Sequence, residues 1–195
     1  MVVPTISGRE ESLARTLDAY RATLAGVDYE LLVIRNRRFW PVACNEATEL
    51  LGSYVDVIHY GADDLVPRHG WLEAALPVLE EGELPAPRVW DYFWHDGPAH
   101  SQTIDGPVGA ECRFTRVPIL TAEQAAAIGP WPEIAYFSDC WLSDAARARG
   151  WPTRVTEGYD FVHHWSTIGR LDGDPELMEE ARRGWMRALE EIPAR

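Results

Sequence analysis

A chain of 195 residues that is 46% hydrophobic can bury one sizeable core and is short for two, so a single domain over 1–195 is expected. Its 31 acidic against 18 basic residues leave a formal charge of -13, a field that repels polyanions unless a local basic patch offsets it, so nucleic acid is disfavoured as a partner without being excluded. Cys44, Cys112 and Cys140 suit neither a disulfide framework nor a zinc knuckle, no apolar stretch approaches the roughly 20 residues that span a bilayer, and no leader pattern precedes Val2; a cytoplasmic protein is expected.

Val2, Val3 and Ile6 form a short apolar run that meets Ser7-Gly8, after which Leu13, Leu17, Tyr20 and Leu24 recur at helical spacing up to Gly26. Tyr29 to Ile34 is a continuous apolar run of the kind found in strands covered on both faces, and it ends in the polar cluster Arg35 to Arg38. Pro41 to Leu51 reads as a helix closed by Gly52, and Tyr54 to Tyr60 as a third strand. Strands alternating with helices imply a mostly parallel sheet built from right-handed crossovers. A helix follows over Trp71 to Leu79, stopped by acidic residues and by the turn Pro85-Ala86-Pro87. The pattern then changes: Val89 to Trp94 is strand-like, His95 to Gly106 a polar loop, and Val108 to Val117 a returning strand. Thr121 to Ile128 is a short helix capped by Thr121, Asp139 to Arg149 a second helix, Thr153 to Thr156 a strand, and Glu176 to Ile192 an amphipathic terminal helix.

The third strand delivers Asp63 and Asp64 to the carboxyl edge of the sheet, where open α/β folds place their ligands. Two adjacent carboxylates are costly there unless a cation or hydrogen-bond donors balance them. An acidic turn of no further consequence is the alternative reading.

Taken in order, several segments resemble the nucleotide-sugar-dependent glycosyltransferases of family 2. Val3-Pro4-Thr5 with Arg9 and Leu13 resembles the first strand and the loop against the nucleotide base. Cys44-Asn45-Glu46-Ala47 resembles the helix leading to the third strand. Ala62-Asp63-Asp64-Leu65-Val66-Pro67 with Gly70-Trp71-Leu72 resembles the triple-acid motif and the helix behind it. Ser138-Asp139-Cys140-Trp141-Leu142 resembles the acceptor-side acidic motif, and Val162-His163-His164-Trp165-Ser166 the late histidine facing the metal. The match covers most of Val2 to Thr167 and implies an α/β protein of the GT-A fold. A nucleotide-binding half would span 1–85, a smaller mixed α+β acceptor half 86–170, and a terminal helix 171–195.

The resemblance implies transfer of a sugar from a nucleoside-diphosphate-sugar donor to an unidentified hydroxyl, with inversion. It implies Mn²⁺ or Mg²⁺ held by Asp64 and by His163 or His164, one of which points away if the segment is extended. Pro4, Thr5, Arg9, Asn36, Asn45, Asp63 and Gly109 would line the donor, Arg9 gripping phosphate or merely lying on a solvated face. Asp139 would be the base that takes the acceptor proton, although its place at a helix start suits capping equally. The aromatic cluster Trp90 to Trp94 is either an acceptor platform or core. Gly169 to Pro175 is either a lid or an inert connection. Two departures from the family pattern stand out: Ala62 replaces the first acid, and Arg35 beside Asn36 replaces the acid that would meet the base. They keep open a catalytically impaired nucleotide-sugar binder. A third reading, transfer to a modified DNA base, would need a basic patch from Arg35 to Arg38.

Overall fold

The computed structural model describes residues 1–37, 39–93, 97–103, 117–134, 138–164 and 175–192, with backbone alone for 90–93, 97–103, 175, 177 and 178. The first half alternates as expected: β1 (Val2–Thr5), α1 (Glu10–Thr23), β2 (Leu32–Arg35), α2 (Trp40–Leu51) and β3 (Val57–His59). α1 carries Glu10 and Glu11 in its first turn and Arg21 in its last, charges that suit the helix dipole, and it buries Leu13, Thr16 and Tyr20 on one face. β4 (Leu65–Pro67) and α3 (Trp71–Glu80) follow, then β5 (Leu84–Phe93), β6 (Gly97–Thr103) and β7 (Ile119–Thr121). α4 (Ala122–Ile128) begins with a full capping box between Thr121 and Gln124. α5 (Ser138–Ala148), β8 (Thr153–His164) and α6 (Pro175–Glu190) complete the order.

The mostly parallel central sheet is not what the described strands form. β1 and β2 pair in parallel, Val2 to Leu32, and an isolated parallel bridge joins Val2 to Tyr60 at the end of β3. β3 pairs antiparallel with β7, and a second sheet of order β4-β8-β5-β6 holds one parallel pair, β5 with β8, between two antiparallel ones. The reason is connectivity. Parallel neighbours need a crossover of a dozen or more residues, and among the described residues after α3 the chain runs strand to strand with no helix until α4.

Several elements differ from the sequence reading, β4 and β7 among them as strands it did not contain. Pro85-Ala86-Pro87 is not a turn but the start of β5, where Pro85 pairs with Arg154 and the ladder is irregular after Ala86. Part of the expected polar loop is β6, a hairpin partner of β5. β8 continues past Thr156 to His164 through Gly158, whose φ of +87° is left-handed and whose added Cβ would meet Ala74 at 3.1 Å. Between the pairs Ala86–Val155 and Arg88–Asp160, β8 advances five residues while β5 advances two. This odd excess switches the inward face, so that Thr156 is buried before the glycine and Tyr159 and Phe161 after it. The expected strand Val108 to Val117 lies outside the described residues up to 116.

The buried apolar side chains form one cluster that includes Val2, Tyr20, Ile58, Trp71, Leu142, Phe161 and Trp185. Beneath the acidic turn the cluster is aromatic, with His59 at 4.6 Å from Trp71, 5.5 Å from Tyr20 and 5.8 Å from Phe161 between ring centroids.

Candidate functional site

Asp63 and Asp64 lie in the turn between β3 and β4, beyond the carboxyl ends of the parallel neighbours β1 and β3. Hydrogen bonds from every side fix the backbone of this turn. Gly61 N–H donates to Val2 at 2.8 Å, and the Trp40 indole donates to the Gly61 carbonyl at 2.9 Å. Ser12 and Thr16 hydroxyls both donate to the Asp63 carbonyl, at 2.8 and 2.9 Å, and His164 N–H donates to the Asp64 carbonyl at 2.8 Å. Only glycine fits at 61, because a Cβ would stand 2.8 Å from the Tyr20 hydroxyl.

The two carboxylates are engaged as well. Thr5 donates to Asp63 Oδ2 at 2.5 Å, Arg9 Nη1 is 3.0 Å from Asp63 Oδ1, and Arg9 Nη2 donates to Asp64 Oδ2. His163 Nε2 stands 3.6 Å from the same Asp64 oxygen. Asp63 is 2% exposed, and burial pushes its carboxyl up to about 6, with Asp64 adding to the rise and Thr5 and Arg9 opposing it. For Asp64 burial acts in the same direction, but His163 and Arg9 together outweigh it and hold the carboxyl below the ordinary range. Adjacent acids are thus driven apart, one easily protonated and one firmly ionised.

Thr5, Arg9, Asp63, Asp64 and His163 are therefore linked in one chain of contacts, Thr5 to Asp63, Arg9 to both acids and His163 to Asp64. His163 is the histidine that faces Asp64. His164 acts there through its backbone N–H, and burial, Arg15 and His163 hold its imidazole below 6.5. Pro4 sits within β1 opposite Ile34. Asn36, at a left-handed φ of +58°, accepts from the Ser7 N–H and hydroxyl at 2.9 and 3.0 Å and so clasps the loop ahead of Arg9. The amide of Asn45 is engaged in a reciprocal pair with the Trp131 backbone, at 3.0 and 2.8 Å. Asp139 opens α5, where its carboxylate accepts from Cys140 N–H at 2.9 Å and its carbonyl from the Ser143 hydroxyl at 3.0 Å. In the basic run, Arg37 is tied by two bonds of 2.5 and 2.7 Å to Glu46. Gly109, Arg38, Trp94, Trp165 and the segment 169–174 lie outside the described residues, as do the side chains of Trp90, Tyr92 and Phe93.

The donor set can be tested against the divalent cation that the resemblance implies. Asp64 Oδ2 and His163 Nε2 converge, but a guanidinium already sits on that oxygen and on the neighbouring carboxylate. Among the described residues no three His, Cys, Asp or Glu side chains cluster as a metal site. As arranged, these residues do not fit a resident metal ion.

Sequence reasoning missed Ser12 and Thr16, which share a face of α1 at a spacing of four and anchor the acidic turn from behind. Their spacing was visible; the carbonyl they meet was not. It also missed Trp40 over Gly61 and the Tyr20–His59 pair, 2.7 Å apart, below it.

No family model matches the chain, and no curated protein matches its sequence. Its fold does match solved structures. The mannosyltransferase PcManGT from Pyrobaculum calidifontis, solved with GDP-Man and Mn²⁺, aligns with a TM-score of 0.57 at 13% identity, over 86% of this chain and 57% of that one. S. aureus TarS aligns with a TM-score of 0.62 at 12% identity, over 100% of this chain and 40% of the other. The catalytic domain of Drosophila beta1,4-galactosyltransferase 7, in complex with xylobiose, aligns with a TM-score of 0.60 at 15% identity, over 93% and 77%. The chain is thus a mixed α/β protein that shares its fold with these three structures, and it spans about half the length of the first two. Among the described residues no helix is long and apolar enough to cross a membrane.

Proposed function

We propose that this protein is a glycosyltransferase that moves a sugar from a nucleoside-diphosphate donor to an acceptor hydroxyl. The observation that supports this most is the convergence of Thr5, Arg9, Asp63, Asp64 and His163 beyond the ends of β1 and β3, on a fold shared with a mannosyltransferase bound to its nucleotide sugar. A diphosphate leaves poorly unless its developing charge is met by preorganised donors. In this reading Arg9 supplies a planar fork to the phosphate oxygens, and Thr5, Asn36 and the β1–α1 loop shape the nucleotide side. Asp64, held ionised, keeps Arg9 and His163 in place until the donor arrives. Asp139 accepts the acceptor proton as its oxygen attacks the anomeric carbon, and one direct displacement inverts that centre. The divalent cation implied by the resemblance has no step in this scheme.

A nucleotide-sugar binder without turnover is the second reading, favoured by Ala62 at the first acidic position and by the cover that Arg9 lays over both acids. A panel of nucleotide sugars, followed by melting temperature and by release of nucleoside diphosphate, separates the two. Stabilisation with release supports the transferase, stabilisation without release the binder, and no stabilisation by any donor overturns both. Asp139→Asn abolishes release in the first case; an unchanged rate removes Asp139 from its role.

A further inference from the structure

We propose that the Arg9 guanidinium is the resident cation of this site while no donor is bound, so that the aspartate pair has no standing affinity for a divalent metal ion. The proposal rests on the donor reading for the purpose of the site and on ion-pair geometry for the competition itself. Arg9 is held in place by the chain around it. It occupies the residue that opens α1, its carbonyl accepts the N–H of Leu13 at 2.9 Å, and the loop before it is clasped by Asn36 on Ser7. From that position its two terminal nitrogens divide between two acids, Nη1 on Asp63 at 3.0 Å and Nη2 on Asp64.

A metal ion bridging Asp64 and His163 would stand about 2.1 Å from its carboxylate oxygen. That is Asp64 Oδ2, the oxygen that accepts from Arg9 and lies 3.6 Å from His163 Nε2. Two cations cannot share it without close mutual repulsion, so metal and guanidinium compete. The pairing also leaves Arg9 incomplete. Its Nε is buried with no hydrogen-bond partner among the described residues, although the outer nitrogens are engaged. A diphosphate presents enough oxygens to meet the inner N–H as well as an outer one, which gives the side chain a better set of acceptors than the two aspartates provide. Arrival of the diphosphate would then draw Arg9 away from Asp64.

The test is a titration of Mn²⁺ alone, with no nucleotide present, into the wild-type protein, Arg9→Gln, and Arg9→Gln combined with Asp64→Asn, with free Mn²⁺ followed by electron paramagnetic resonance. The wild type shows no saturable binding up to about 1 mM, Arg9→Gln binds one equivalent at least about tenfold more tightly, and adding Asp64→Asn removes that gain. Equal affinity in wild type and Arg9→Gln overturns the proposal, and so does a gain that survives Asp64→Asn. Should Arg9→Gln lose its circular-dichroism signature, the wild type alone still decides: saturable binding at micromolar Mn²⁺ overturns the proposal, and none up to millimolar supports it. No arm contains a nucleotide sugar, so failure here leaves the donor reading intact, and a failed donor screen leaves the Mn²⁺ result intact.

Discussion

His163 Nε2 lies 3.6 Å from Asp64 Oδ2, while the next residue along β8 donates its backbone N–H to the Asp64 carbonyl. Two adjacent histidines therefore hold one acid in two ways, by imidazole and by peptide. Replacing the first removes a group that keeps Asp64 ionised; replacing the second leaves the peptide bond to the Asp64 carbonyl. His163→Gln should weaken nucleotide-sugar binding by about tenfold and His164→Ala by less than about threefold, measured by calorimetry. Equal losses would mean that the two side chains share the site.

Thr5→Val removes the hydroxyl that donates to buried Asp63 and should destabilise the protein by about 1–3 kcal/mol. The effect carries a pH signature. Asp63 is raised from 3.8 to about 6, so the folded state binds its proton more tightly than the unfolded chain, and stability tied to that proton is present at low pH and lost as pH rises through the folded value. Thr5 opposes this rise, so its loss should cost more at pH 7.5 than at pH 5 in urea denaturation. A cost independent of pH would mean that Asp63 does not titrate in this range.

His59 predicts the opposite slope. It is buried against Tyr20, Trp71 and Phe161, and desolvation drives it well below its ordinary 6.5. The unfolded chain then takes up the proton first, so stability is complete above pH 6.5 and falls below it, by at most about 1.4 kcal/mol per pH unit. His59→Gln should lower stability at pH 7.5 while flattening that acid limb. A limb of unchanged steepness would assign the acid sensitivity to other groups.

Asn45→Ala should cost about 1–3 kcal/mol of stability, because it strands both the N–H and the carbonyl of Trp131. Donor affinity should change by less than about twofold. A large loss of affinity with intact stability would restore Asn45 to the donor site.

What was legible in the sequence was what periodicity and punctuation encode. α2 and α3 begin within a residue of the reading, and the Thr121 cap was visible because a cap is a local event between a hydroxyl and a backbone three residues on. The meeting of Thr5, Arg9 and His163 at the acidic turn was reachable only through resemblance, since those residues come from strands and loops far apart in sequence. The rest failed for identifiable reasons. The expected strand ended at Thr156, yet Gly158 carries the chain onward through a left-handed residue. Pro85 and Pro87 looked like a turn, yet they enter a strand at its start and at a register break. The two acids that hold Arg9, both 54 or more positions downstream, could not be inferred from neighbours in the chain.

Gly158 has a reach well beyond its own position. Because the step from Val155 to Asp160 is odd, everything distal to the kink is inverted relative to an uninterrupted ribbon, and the imidazole presented to Asp64 is chosen five positions upstream of where it acts. The group that meets Asp64 is thus written partly in the arithmetic of a backbone irregularity.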